Sequence, residues 1–167
     1  MNKAIIWLIT LVLCAASEYS LACSCIPPGK YRPLETDVND WKPLDTTDSN
    51  AVVKYMLQES DYVLTGTFVS QSSYSEYEEH GEYTIIRITE FSVEKVWKGK
   101  KVNNIWIKRR VRLNCSYSGF RPGVSYLLYL SGPDPDGFYQ ASACSRTNRL
   151  SESEEDIRIL DGMYIQE

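Results

Sequence analysis

Cys23-Ser24-Cys25-Ile26-Pro27-Pro28 places two thiols one residue apart, directly after a segment with the layout of an export signal. Met1-Asn2-Lys3 is a short positive start, Ala4 to Ala16 is an apolar run too short to cross a bilayer, and Ser20-Leu21-Ala22 offers small residues at the two positions that a signal peptidase reads. Residues 1–22 are therefore expected to be a signal peptide, and cleavage after Ala22 makes Cys23 the first residue of the mature chain. Its free α-amine, with a pKa of about 8, can lose its proton near neutral pH and become a metal ligand. A second candidate cleavage site, Cys14-Ala15-Ala16, would leave six residues ahead of Cys23. Lipid anchoring at Cys23 is the less favoured arrangement, because a lipoprotein signal wants leucine at position −3 and Leu21 stands at −2.

Of five cysteines, Cys14 leaves with the signal, and Cys23, Cys25, Cys115 and Cys144 remain. An even number in an exported chain points to disulfides, and four cysteines allow three pairings. A bridge from Cys23 to Cys25 would close a tiny strained ring, so both are expected to reach far along the chain. A zinc site built from all four cysteines has the wrong spacing and the wrong compartment. Each long-range bridge closes a large loop, for which chain entropy gives about 4 to 5 kcal/mol before strain is subtracted. Two bridges converging on three residues also hold that terminus still.

Other chemistry is scarce. The single histidine, His80, stands in a charged loop beside Glu78 and Glu79, where a solvated role is the expectation. No glycine-rich loop follows a strand to cradle phosphate, and no His/Glu spacing suits a catalytic metal. Glu152, Glu154, Glu155 and Asp156 crowd together, but acids at the start of a helix suit its dipole. The expectation is a chain that is not an enzyme, with no cofactor and no metal of its own. The net charge of −4 survives loss of the signal, which carries one Lys and one Glu, and acidic balance argues against nucleic acid as a partner.

The frame that positions the cysteines follows from periodicity. Residues 23–167 are enough for one domain with a real core. Lys30 to Asn50 is rich in Pro, Asp and Thr and is expected to be an irregular loop. Asp48, Ser49 or Asn50 can cap a short helix whose apolar face is Val52, Val53, Met56 and Leu57. Asp61 to Ser70 alternates as a strand, with a bulge or bend at Gly66. Gln71 to Gly81, holding Tyr74 and Tyr77, is expected to be a polar hairpin loop. Strands follow at Tyr83 to Trp97, Ile105 to Val111, Ser125 to Leu130 and Phe138 to Ala143. Ser151-x-x-Glu154 has the form of a capping box ahead of a last short helix with Ile157, Leu160 and Asp161. Five long, bent strands after one helix suggest a mainly β fold, a small closed barrel.

Cys115, the run Phe120-x-x-Gly123-x-x-Tyr126-Leu127, Cys144, the leading Cys23-Ser24-Cys25 with Pro27, and Val96-Trp97-Lys98-Gly99 together resemble the netrin-like domain. The chain is most similar to the N-terminal domain of the tissue inhibitors of metalloproteinases, from Cys23 to about Leu160. The resemblance implies a five-stranded OB-type barrel with Cys23 bridged to Cys115 and Cys25 to Cys144. It also implies that the amine and carbonyl of Cys23 chelate the catalytic zinc of a bound metalloprotease. Ser24 would enter the specificity pocket, Cys25, Ile26 and Pro27 would lie along the primed side of the cleft, and Tyr74 and Tyr77 would sit near the same edge. Four mature cysteines leave no third bridge of the kind the animal inhibitors carry. The expectation is an exported, monomeric inhibitor of zinc metalloproteases. The alternative is a netrin-like interaction module in the extracellular or envelope space that binds another protein and inhibits nothing.

Overall fold

The computed structural model describes residues 45–77, 81–111 and 115–164. Two helices and an antiparallel sheet make up the fold: α1 Ser49–Glu59, β1 Tyr62–Tyr77, β2 Tyr83–Lys98, β3 Asn104–Arg110, β4 Ser125–Ser131, β5 Gln140–Ala141, β6 Asn148–Arg149 and α2 Glu154–Tyr164. The sheet runs in the order β3-β2-β1-β4-β5, with β6 also paired to β4. The mainly β class and the two flanking helices are as expected.

The closed barrel is not. The ladder is open, and β3 meets Tyr139, the residue just ahead of β5, through an isolated parallel bridge at Ile107. That bridge is made by Tyr139 N–H donating to Trp106 O at 2.8 Å and Lys108 N–H donating to Tyr139 O at 2.9 Å. The strand expected over Phe138 to Ala143 shrinks to Gln140–Ala141 because its residues serve different neighbours in turn. Tyr139 bridges to Ile107, Ala141 pairs with Leu130, and Ser142 bridges to Ser116. A segment that changes partner every second residue keeps no long ladder.

Burial explains the shape. Between its terminal serines β4 reads Tyr126-Leu127-Leu128-Tyr129-Leu130, and all five side chains are buried. A continuous apolar run of that kind is covered on both faces. Tyr126, Leu128 and Leu130 join Leu64, Phe68, Phe91, Ile105 and Ile107 in one cluster on the inner side of the curled sheet. Leu127 and Tyr129 face the other way, with Val63 and Trp97, onto Val53 of α1 and Ile159 and Leu160 of α2. The helices thus close the outer face.

Local signals account for both helices. Asp48 caps α1, its side chain accepting from Asn50 N–H at 2.9 Å. At the other end Lys98 Nζ donates to Leu57 O at 2.8 Å and Gln58 O at 2.9 Å, satisfying carbonyls that a helix end leaves open. The proposed capping box does not form: Ser151 falls in a 3-10 turn, Leu150–Glu152, and α2 begins only at Glu154. Ser153 precedes it, with its hydroxyl donating to Arg149 O at 2.8 Å.

Val96-Trp97-Lys98-Gly99 is the joint where the sheet receives both helices. Trp97 is buried and its Nε1–H donates to Asp161 of α2 at 2.7 Å. Gly99 has φ +101, and a Cβ there would run into the Tyr62 ring. Hydrogen bonds from Lys95 and then Trp97 hold the Asp161 carboxyl below the usual carboxylate range. Trp97→Phe is therefore expected to cost about 1 kcal/mol in denaturant unfolding at neutral pH. A depressed carboxylate stabilises above its unfolded pKa of about 3.9, so the difference between the two proteins should shrink as pH falls below that value. A gap that stays constant down to acid pH would assign the cost to packing alone.

Candidate functional site

The segment that the sequence singles out, Cys23, Ser24, Cys25, Ile26 and Pro27, lies outside the described residues, as do residues 1–22, expected to be a signal peptide, residues 30–44 and His80. The two distal cysteines are described. Cys115 and Cys144 are each disulfide-bonded, and the expected pairing of Cys115 with Cys23 and Cys144 with Cys25 falls on residues outside the description.

Cys115 stands opposite Ala143, the residue before Cys144. Ala143 N–H donates to Cys115 O at 2.7 Å, Tyr117 N–H donates to Ala141 O at 2.8 Å, and Ser116 and Ser142 form an antiparallel bridge between them. Beyond the bridge the chain turns, with Ser145 N–H and Oγ–H both on Ser142 O and Cys144 N–H on Ser142 Oγ at 3.0 Å. Cys115 is exposed and Cys144 half-buried. Residues 29 apart in sequence thus become neighbours on one accessible edge.

Behind that edge stands an aromatic cluster built from the Phe120-x-x-Gly123-x-x-Tyr126 run. Tyr126 is fully buried, and its hydroxyl donates to Gly119 O at 3.1 Å and accepts from Arg121 N–H at 2.8 Å. Gly123 takes φ +72, a backbone region that side chains with a Cβ disfavour, and its N–H donates to Phe68 O at 3.1 Å. Phe120 meets Phe91 at 4.9 Å, Tyr126 at 5.1 Å and Tyr117 at 4.7 Å between ring centroids. The motif ties the chain after Cys115 onto β1 and β4.

Tyr74 and Tyr77, expected in a polar hairpin loop, stand instead in a strand. Gln71 to Tyr77 is not a loop but the continuation of β1, paired with β2 from Ser70–Glu90 through Tyr77–Tyr83 without interruption. Three residues apart on an unbroken strand, the two tyrosines face opposite sides of the ribbon. Tyr77 packs on Tyr83 at 5.1 Å, whereas Tyr74 lies on the side of Ile86. They cannot serve one contact surface as a pair.

The strand register also assembles what spacing in the sequence did not announce. Arg87 of β2 lies directly opposite Arg109 of β3. Both are half-buried, and burial, followed by the charge of Arg87, lowers the pKa of the Arg109 guanidinium from its usual value. Arginines 22 apart in sequence signal nothing until the β2–β3 register is known.

The acidic cluster splits in two. Asp156 is buried and accepts from Arg146 Nε at 2.7 Å and from its Nη2, and from the Tyr129 hydroxyl at 3.3 Å. Glu152, Glu154 and Glu155 are exposed. Among the described residues no group of three or more His, Cys, Asp or Glu could hold a metal ion, and no helix is long and apolar enough to cross a membrane. No protein-family model and no curated protein matches the chain.

Proposed function

We propose that the chain is an exported inhibitor of zinc metalloproteases that acts through its N-terminal cysteine. In this reading cleavage after Ala22 frees the Cys23 amine, and the amine and carbonyl of Cys23 take the open position that a catalytic zinc keeps for water or substrate. Ser24 enters the specificity pocket, and Cys25, Ile26 and Pro27 follow along the cleft. Cys23 is bridged to Cys115 and Cys25 to Cys144, in a domain of the OB type.

One observation supports it above the others. The Ser116–Ser142 bridge sets Cys115 opposite Ala143, so that Cys144 follows one residue beyond it on the same accessible edge. Two cysteines one residue apart are separated by about 7 Å when extended, and neighbouring strands by about 5 Å. A Cys-x-Cys segment can therefore engage both anchors at once without refolding either. A terminus so pinned has little conformational entropy left to lose on docking. The inner core, curled until β3 meets Tyr139 at Ile107, is the part of the fold most in keeping with such a barrel.

The test begins with the natively exported protein, whose N-terminus and disulfides are read by mass spectrometry before a panel of zinc metalloproteases is assayed. Insertion of one alanine ahead of Cys23 leaves every side chain in place and moves the amine off the metal. Inhibition is expected to weaken at least about 100-fold, corresponding to about 2.7 kcal/mol. Equal inhibition by both forms would overturn zinc chelation. A natural terminus extended beyond Cys23, or a free one without inhibition across the panel, would favour the non-inhibitory interaction module.

A further inference from the structure

On the odd-numbered face of the β1–β2–β3 ribbon, Gln71, Thr89 and Ile107 stand in one cross-strand row and Ser73, Arg87 and Arg109 in the next. The chain after Cys115 folds over the first row, so that Gln71, Arg87, Thr89, Arg109, Tyr117 and Ser118 line a cleft of about 20 Å³. That volume accommodates a water-sized group, and hence one end of a carboxylate rather than a larger ligand.

Among the described residues the charge in this cleft is unbalanced. Like charges directly opposite on neighbouring strands are destabilising, and these two carry no hydrogen bond or ion pair to any acid among the described residues. Arg87 Nε is buried without a hydrogen-bond acceptor. Glu76 and Glu90, the acids of the adjoining strand positions, belong to the opposite face. Glu76 lies 3.6 Å from Arg110, and Glu90 accepts from Ser70 and Asn104. Two guanidiniums present a planar array of N–H donors matched to carboxylate oxygens, and Thr89, Ser118 and Gln71 add neutral polar groups around them.

The same face continues outward as Ile85, Tyr83 and Tyr77, which are 48%, 64% and 64% exposed. We propose that the cleft between Arg87 and Arg109 binds the carboxylate side chain of a partner polypeptide, with the apolar residues flanking that acid lying on Ile85, Tyr83 and Tyr77. Charge complementarity sets the acid, and the strip of exposed apolar groups sets a polypeptide rather than a small organic acid as its carrier. The site is independent of zinc chelation and stands whether or not Cys23 touches a metal.

The probe is a short peptide with one aspartate between leucines, compared with its asparagine analogue and with sodium acetate at matched ionic strength. Binding is followed through the Arg87 and Arg109 Nε–H resonances. The aspartate peptide is expected to shift both signals saturably, to bind at least about tenfold tighter than the asparagine peptide, and to be displaced by acetate but not by chloride. Arg87→Gln and Arg109→Gln should each weaken it at least about tenfold. Neither variant should lower the melting temperature at low salt, because each removes a repulsion. Equal binding of the two peptides, equal effects of chloride and acetate, or undiminished binding by both variants would overturn the site. A response to acetate with none to the peptide would overturn the polypeptide as its occupant.

Discussion

Phe91→Ala is expected to lower the unfolding free energy by about 3 to 5 kcal/mol, enough to remove a large part of the stability of a domain this size. Phe91 is fully buried, and its ring lies 4.9 Å from Phe120, 5.8 Å from Phe68 and 6.0 Å from Tyr126 between centroids. It is the point at which β1, β2, β4 and the chain after Cys115 share one cluster, so a cavity there cannot be filled by shifting a single neighbour. Val69, on the adjacent strand and 54% exposed, is the control. Val69→Ala should change stability by no more than about 0.5 kcal/mol. Denaturant unfolding of the two variants side by side checks the pair, and a cost below about 1 kcal/mol for Phe91→Ala would remove this cluster as the centre of the fold.

Asp156→Ala is expected to cost about 2 to 3 kcal/mol, less than a fully buried pair because Arg146 keeps some contact with water. Asp156 is the shared acceptor of Arg146 and Tyr129, and its side chain is 7% exposed against 34% for Arg146. Removing it strands a guanidinium and a phenol together. Their titration carries the same signature: burial, and then Asp156, raise the Tyr129 hydroxyl well above its ordinary value, while the bond to Asp156 raises Arg146. A phenol raised by folding stabilises below its unfolded pKa of about 10 and loses that contribution as pH climbs beyond it. Part of the alkaline loss of stability in the parent protein should therefore vanish in Tyr129→Phe. The cycle built from Asp156→Ala and Arg146→Ala should show a coupling of at least about 1 kcal/mol; independent effects would mean that the pair is not a unit.

Much of this frame was legible in the residues. Alternation and β-branching marked the main strands, Asp48 and the Val52–Leu57 face marked α1, and Gly66 falls where the β1–β2 register shifts, between Thr65 and Gly66. What failed did so for physical reasons. Gln71 to Tyr77 is polar because that ribbon extends beyond the core and both of its faces meet solvent, so the strand has no apolar period to display. Curling without a closing ladder depends on how Tyr139 and Ser142 divide their hydrogen bonds, and no residue type encodes that choice. The candidate site was legible only at its distal half. Cysteine count and an expected export signal marked Cys115 and Cys144 as bridge anchors, while their closeness and the confrontation of Arg87 with Arg109 are products of register.

A curl held at one point behaves as a clasp does. The β1–β2 and β1–β4 pairings run for many residues, whereas Ile107 and Tyr139 hold the two ends of the sheet through a pair of hydrogen bonds. Local opening takes the path with the fewest bonds to break, so thermal motion should part this seam long before it disturbs the spine. The loosened piece is short, because a covalent tie at Cys144 follows soon after. The molecule can therefore breathe at one seam while the edge that carries its cysteines stays fixed.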